Sequence, residues 1–144
     1  MDVRALMPKD KFDDSGIADL KKLSFDDVKD MIPDLLVWLQ DMNWPVAFSV
    51  AEVLRPFTDK ITPQIVDILR SNDEMWVYWI LNNIARYSSD PLVVAEIERI
   101  RKFPTKGEIE NGIDELATEI LLELDTRGLD QKIDKVVAEL GCNK

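Results

Sequence analysis

Three prolines set the frame of this chain. Pro33, Pro63 and Pro91 head similar stretches, Pro33-Asp34-Leu35-Leu36, Pro63-Gln64-Ile65-Val66 and Pro91-Leu92-Val93-Val94, and they stand 30 and 28 residues apart. Proline has no N–H and a φ fixed near −65°, so it suits the first turn of a helix and breaks the interior of one. Each of the three therefore marks a fresh helix start. A start about every thirty residues leaves room for two short helices and their turns, which is the spacing of a helical repeat array. A single antiparallel hairpin in such an array has more apolar surface than it can bury alone. It stacks on its neighbours and shares a core with them.

The residues between the prolines fit this scheme. An N-terminal arm covers residues 1–15, followed by a short amphipathic helix around Ile17–Leu23. Ser24 reads as an N-cap with Asp27 in the capping-box position, ahead of Phe25, Val28, Met31 and Ile32. The helix after Pro33 turns Leu35, Leu36 and Leu39 inward. Asn43 is expected to cap the next, Pro45–Leu54, with Trp44 packed over the joint and Val46, Ala47, Val50, Ala51 and Leu54 at helical spacing. Thr62 is expected to cap the helix at Pro63. Asn72 or Asp73 caps one carrying Trp76, Trp79, Ile80, Ile84 and Tyr87, and Asp90 caps one carrying Val93, Val94, Ile97 and Ile100. A long helix Glu108–Leu124 is predicted, with Ile109, Ile113, Leu116, Ala117, Ile120 and Leu124 inward, and then a terminal amphipathic helix Asp130–Leu140. Only five glycines, and no alternation of β-branched residues, argue against a sheet.

The expected fold is therefore all-α. It is a single domain over residues 1–144: a right-handed stack of antiparallel helix hairpins, a HEAT-like α-α superhelix of about seven to eight helices. Residues 125–144 supply the terminal capping helix and tail. The spacing is near that of tetratricopeptide repeats, but their Trp, Leu-Gly and Tyr pattern is missing.

Much chemistry is excluded by what the chain lacks. Without histidine there is no Ser-His-Asp or Cys-His nucleophile system, no imidazole base and no histidine-held metal. The one cysteine, Cys142, has no partner for an intrachain disulfide and no evident base beside it. No glycine-rich phosphate loop is present. Acid pairs such as Asp13-Asp14 and Asp26-Asp27 are chain neighbours, and adjacent helical residues point apart. They read as solvated or capping charges. No cofactor and no metal ion are expected, nor catalytic residues. A net charge of −10 is the wrong sign for neutralising phosphates, so neither nucleic acid nor an anionic membrane surface is an expected partner. No apolar run marks a signal peptide or a membrane span, which gives the cytoplasm as the expected location.

The distinctive residues are aromatic. Trp38 and Trp44 flank one turn, and Trp76, Tyr78 and Trp79 open a later helix. Tryptophans at helical spacing fill the core between repeats in the simplest reading. If Trp76, Trp79 and Ile80 face inward, Tyr78 and Asn82 lie at the border with solvent. Tyr, Trp, Asn and Arg together are residue types of recognition surfaces. Trp44, Tyr78, Asn82 and Arg86 are thus candidate contacts for a protein partner.

At LMPKDKFD (Leu6–Asp13), LLVWLQDMNWPVA (Leu35–Ala47) and WVYWILNNI (Trp76–Ile84) the chain resembles an uncharacterised bacterial family, a domain of unknown function with HEAT-like helices. The resemblance implies that fold and a bacterial cytoplasmic setting, and carries no activity with it. The leading expectation is a non-catalytic protein-interaction module. An immunity- or antitoxin-like acidic inhibitor of a basic protein is a sharper form of it. A carboxylate enzyme or small-ligand binder with a Trp-lined cleft is the rival.

Overall fold

Four helices begin at a side-chain cap, at Ser24, Asp73, Asp90 and Thr105. The computed structural model describes residues 3–125, so the expected helix Asp130–Leu140 and Cys142 lie outside the described residues. The described residues are 74% helical with no strand, which makes the chain all-α. Eight α-helices are bounded within them: α1 (Ile17–Leu20), α2 (Phe25–Val28), α3 (Ile32–Val37), α4 (Pro45–Leu54), α5 (Thr62–Leu69), α6 (Glu74–Asn83), α7 (Pro91–Lys102) and α8 (Lys106–Glu110). A further helix, α9 (113–125), reaches the last described residue. Tight 3-10 turns extend α2, α3, α4 and α6 at Lys29–Met31, Trp38–Gln40, Arg55–Lys60 and Ala85–Tyr87.

Several caps are as expected. Ser24 and Asp27 form the reciprocal capping box of α2. Asp73 accepts the Trp76 N–H at 3.2 Å and Asp90 accepts the Leu92 N–H at 2.9 Å. Others differ. Trp44, not Asn43, occupies the N-cap position of α4, with extended backbone and no side-chain cap; the Asn43 N–H is held by Asp41 Oδ1 at 2.8 Å. The cap is replaced in part from a distance, because the Lys11 carbonyl of the arm accepts the Val46 N–H at 3.0 Å. This satisfies one of the donors that every helix start leaves open. Thr62 does not cap α5 but begins it, and its hydroxyl donates to Asp90 Oδ2 at 2.9 Å. The first short helix ends at Leu20 rather than Leu23.

The largest correction falls on the predicted helix Glu108–Leu124. It is broken into α8 and α9 at Gly112, whose φ of +69° is left-handed and open to glycine without the usual Cβ penalty. Asn111 closes the end of α8 by donating from its backbone N–H and from Nδ2 to the Gly107 carbonyl. The break turns Ile109 outward, 55% exposed, while Ile113, Leu116, Ala117 and Ile120 stay buried and Leu124 is half-buried.

Sequence neighbours pack on one another, α3 on α4 and α5 on α6, and α5 also lies against α7. The extension of α4 at Arg55–Lys60 meets that of α6 at Ala85–Tyr87. One continuous core holds Leu20, Leu35, Leu39, Val50, Leu54, Ile65, Leu69, Ile80, Leu81, Ile97, Ile113 and Ile120 among others. Several polar links span close to the proline spacing. Thr62 reaches Asp90 28 residues on, Arg55 Nε donates to the Asn83 carbonyl 28 residues on, and Asp59 accepts from Ser88 and Ser89, 29 and 30 residues on.

At the other end, the arm forms a 3-10 turn, Val3–Leu6, with Arg4 on Asp34 at 3.1 Å. Gly16 allows the arm to lie close, since a Cβ there would collide with the Leu6 backbone. Among the described residues no helix is long and apolar enough to cross a membrane.

Candidate functional site

The helical repeat of 100° per residue sorts the side chains of α6 into two faces. Val77, Ile80, Leu81 and Ile84 are buried and form the inner one. Met75, Tyr78, Trp79 and Asn82 lie along the opposite line, Met75 exposed and the other three half-buried. Arg86, also half-buried, follows in the 3-10 extension. The expected inward set of Trp76, Trp79 and Ile80 is thus corrected: Trp79 belongs to the outer face, and Trp76 lies at the edge. Burying an indole whole requires a partner for its N–H. Trp76 finds one at the border by donating Nε1–H to the Leu36 carbonyl at 3.0 Å, at the end of α3. It ties α6 to α3. Tyr78 and Asn82 stand at the solvent border as expected.

Of the four candidate residues, Tyr78 and Asn82 are aligned by α6 and Arg86 follows in its extension. Tyr78 packs edge-on against Trp79, centroids 5.0 Å apart at 89°. Arg86 lies 4.0 Å from Glu123 of α9. Trp44 is held elsewhere, against Trp38, in an edge-on pair at 5.8 Å that covers the α3–α4 joint.

A neighbouring group was not legible in the sequence. Arg55, which follows α4, stands over the rings of both Phe48 and Tyr87, 5.7 and 5.2 Å from their centroids. Phe48 and Tyr87 are 57% and 50% exposed, which is unusual for aromatics in a chain with a sizeable core. The bond from Arg55 to the Asn83 carbonyl joins this cation–π group to the end of α6. The signal that would have pointed to it is Phe48 in α4 and Arg55 seven residues on, just past the helix end.

A second feature is ionic. Glu96 on α7 is 6% exposed and accepts from Arg70 Nε at 3.1 Å and from Arg99 Nε at 2.9 Å. Arg99 also grips Glu108 with both terminal nitrogens, at 2.8 and 3.0 Å. Glu108 is 5% exposed and forms a capping box with Thr105 at the start of α8. Burial by itself raises the Glu108 carboxyl. Hydrogen bonds from the Arg99 guanidinium and the Thr105 N–H outweigh it, and the net effect holds the group below the usual carboxylate range. The Arg99 guanidinium is correspondingly pushed up, first by its bonds to Glu108. These groups border a cleft of about 350 Å³ between the α5–α6 turn and the α7–α8 corner. Two local patterns announce parts of it, Glu96 and Arg99 at i, i+3 and Thr105-Lys106-Gly107-Glu108 as a capping box. Their convergence is tertiary. Among the described residues no group of three or more Asp, Glu, Cys or His side chains is placed to hold a metal ion.

The chain belongs to the family described as a domain of unknown function (DUF5071), which it matches over residues 6–121. The match takes in every helix from α1 to α8 and most of α9, and with them both features described above. No curated protein matches the chain in sequence.

Proposed function

We propose that this member of the family is a non-catalytic protein-interaction module of a bacterial cytoplasm, a right-handed HEAT-like stack that docks a protein on the outer face of α6. The observation that carries the proposal is the aromatic and arginine strip of Met75, Tyr78, Trp79, Asn82 and Arg86, extended by Phe48, Arg55 and Tyr87. Aromatic and arginine side chains, rigid and able to act as both apolar and polar contacts, are the usual anchors of protein interfaces. The stacking is supported by the links between positions 28 to 30 residues apart and by the packing of α5 on α7. The partner best suited to the strip is an apolar segment that also carries carboxylates for Arg55.

The rival enzyme reading asks for converging acids with one kept protonated. Glu96 and Glu108 do converge, but both are bound to arginine and Glu108 is held ionised. Val77, not tryptophan, lines their cleft. A second reading, an acidic inhibitor of a basic protein, is favoured by the net charge of −10 and by exposed Asp26, Asp27, Asp30, Glu115 and Glu119.

The test is a quantitative pull-down from bacterial lysate with wild type, Tyr78→Ala, Arg55→Ala and the control Leu92→Ser, at low and moderate salt. One near-stoichiometric protein that the control retains and both strip variants lose supports the α6 surface. Retention by all four refutes it. A complex that both strip variants keep but modest salt dissolves belongs to the acidic-inhibitor reading.

A further inference from the structure

The cleft between the α5–α6 turn and the α7–α8 corner leaves two charged heads over. Arg99 uses Nε on Glu96, Nη1 on Glu108 and Nη2 on Glu108 and the Leu69 carbonyl. Both oxygens of Glu96 are taken by Arg70 and Arg99, and both of Glu108 by Arg99, with Thr105 N–H on Oε1 as well. Arg70 gives only Nε to Glu96, and its side chain is 67% exposed, so Nη1 and Nη2 remain to donate. Glu74, half-buried in the first turn of α6, has no ion-pair or hydrogen-bond partner among the described residues.

These two opposite charges border the same cleft without pairing with each other. Arg70 is fixed through Nε. The Glu74 carboxylate lies against Gly107, in space that a Cβ at Gly107 would fill. A free guanidinium fork and a free carboxylate bordering one cleft complement a molecule with a carboxylate at one point and an ammonium at another. Ser71, Asn72 and Thr105 supply neutral polar groups around them, and Leu69 and Val77 an apolar floor. A volume near the lower end of the ~300–1,000 Å³ typical of ligand sites suits a small guest.

We propose that this cleft binds a small zwitterion of the amino-acid class, its carboxylate on Arg70 Nη1 and Nη2 and its ammonium on Glu74. The site goes beyond the interaction surface proposed above, since Glu74 and Val77 lie off the outer face of α6.

The experiment is an NMR titration of the ¹⁵N-labelled full chain with the standard L-amino acids and L-alanyl-L-alanine. The best binder is then compared with its N-acetyl and carboxamide derivatives. Expected are saturable shifts at the amides of Ser71, Asn72, Glu74 and Thr105, with each derivative about tenfold weaker or more, equivalent to about 1.4 kcal/mol. Arg70→Gln should make acid and amide bind equally, and Glu74→Gln should do the same for free and acetylated amine. Unchanged amide positions elsewhere confirm that these surface variants fold. No saturable shift with any zwitterion overturns the proposal. So does equal binding of either derivative to wild type, or the same shifts from inorganic phosphate alone.

Discussion

Glu108 shows how much one side chain can hold in this fold. It caps α8 through Thr105 and neutralises Arg99, which in turn fixes Glu96 and the end of α5 at the Leu69 carbonyl. Removing one partner of a buried pair costs about 3–5 kcal/mol because the other charge is stranded. The Arg99 side chain is 31% exposed, so water recovers part of that. Glu108→Gln is expected to lower stability by about 2 kcal/mol, read as a drop in the urea midpoint at constant slope. The pH dependence has a definite sign. Asp59, bound first by the Ser89 N–H, and Glu108 both titrate below their ordinary values when folded. Their stabilisation is complete above the unfolded-state values, near 3.8 and 4.5, and is lost as pH falls through the lower folded ones. Thermal melts from neutral pH into acid should show wild type losing more stability than Glu108→Gln over that window. Parallel curves for the two would mean that Glu108 carries no such linkage.

Among the elements, the α8–α9 break distinguishes local from distant control. Apolar periodicity runs unbroken across it, since Ile109 and Ile113 are spaced for one face, and the pattern alone favours a single helix. The competing signal is Asn111-Gly112, a helix-ending pair. The backbone follows that pair, and a left-handed φ at Gly112 with open space around it sets the bend. Gly112→Ala should cost about 1 kcal/mol through backbone strain alone. Ile109→Lys should change stability by about 0.5 kcal/mol or less, since Ile109 faces water, whereas Ile113→Ala should cost about 2–5 kcal/mol. Chemical denaturation of the three variants checks this, and equal losses for Ile109 and Ile113 would restore the single helix. The caps obey the same distinction. Ser24, Asp73 and Asp90 cap as their sequences imply because the bonds span two or three residues. Thr62 is diverted from capping by Asp90, 28 residues on, which no local pattern reveals.

The molecule as a whole is stabilised by one core shared among its helices. Protection should then follow burial in that core. The α4–α7 stretch holds Leu54, Ile65, Leu69, Ile80 and Leu81 fully buried. The arm at Val3–Leu6 has no buried residue. Native-state hydrogen exchange should find the slowest amides in α5 and α6 and the fastest in the arm, with α1 and α2 between. Uniform protection across the chain would instead indicate one indivisible unit.

The helices and most of their inner faces are thus a property of the sequence itself. Proline at a helix start, an acceptor at the N-cap and a leucine three or four residues from the next act within a single turn, so they are written in adjacent letters. That reach also places Tyr78 and Asn82 on one line. The outward turn of Trp79, the Phe48–Arg55–Tyr87 group and the cleft were decided only by tertiary structure. Arg70 meets Glu96 26 residues away, and Arg55 meets the end of α6 28 residues away. Which charges pair, and which are left facing a common space, depends on how whole helices lie against one another. That arrangement is set by the packing of the shared core, and no short stretch of sequence contains it.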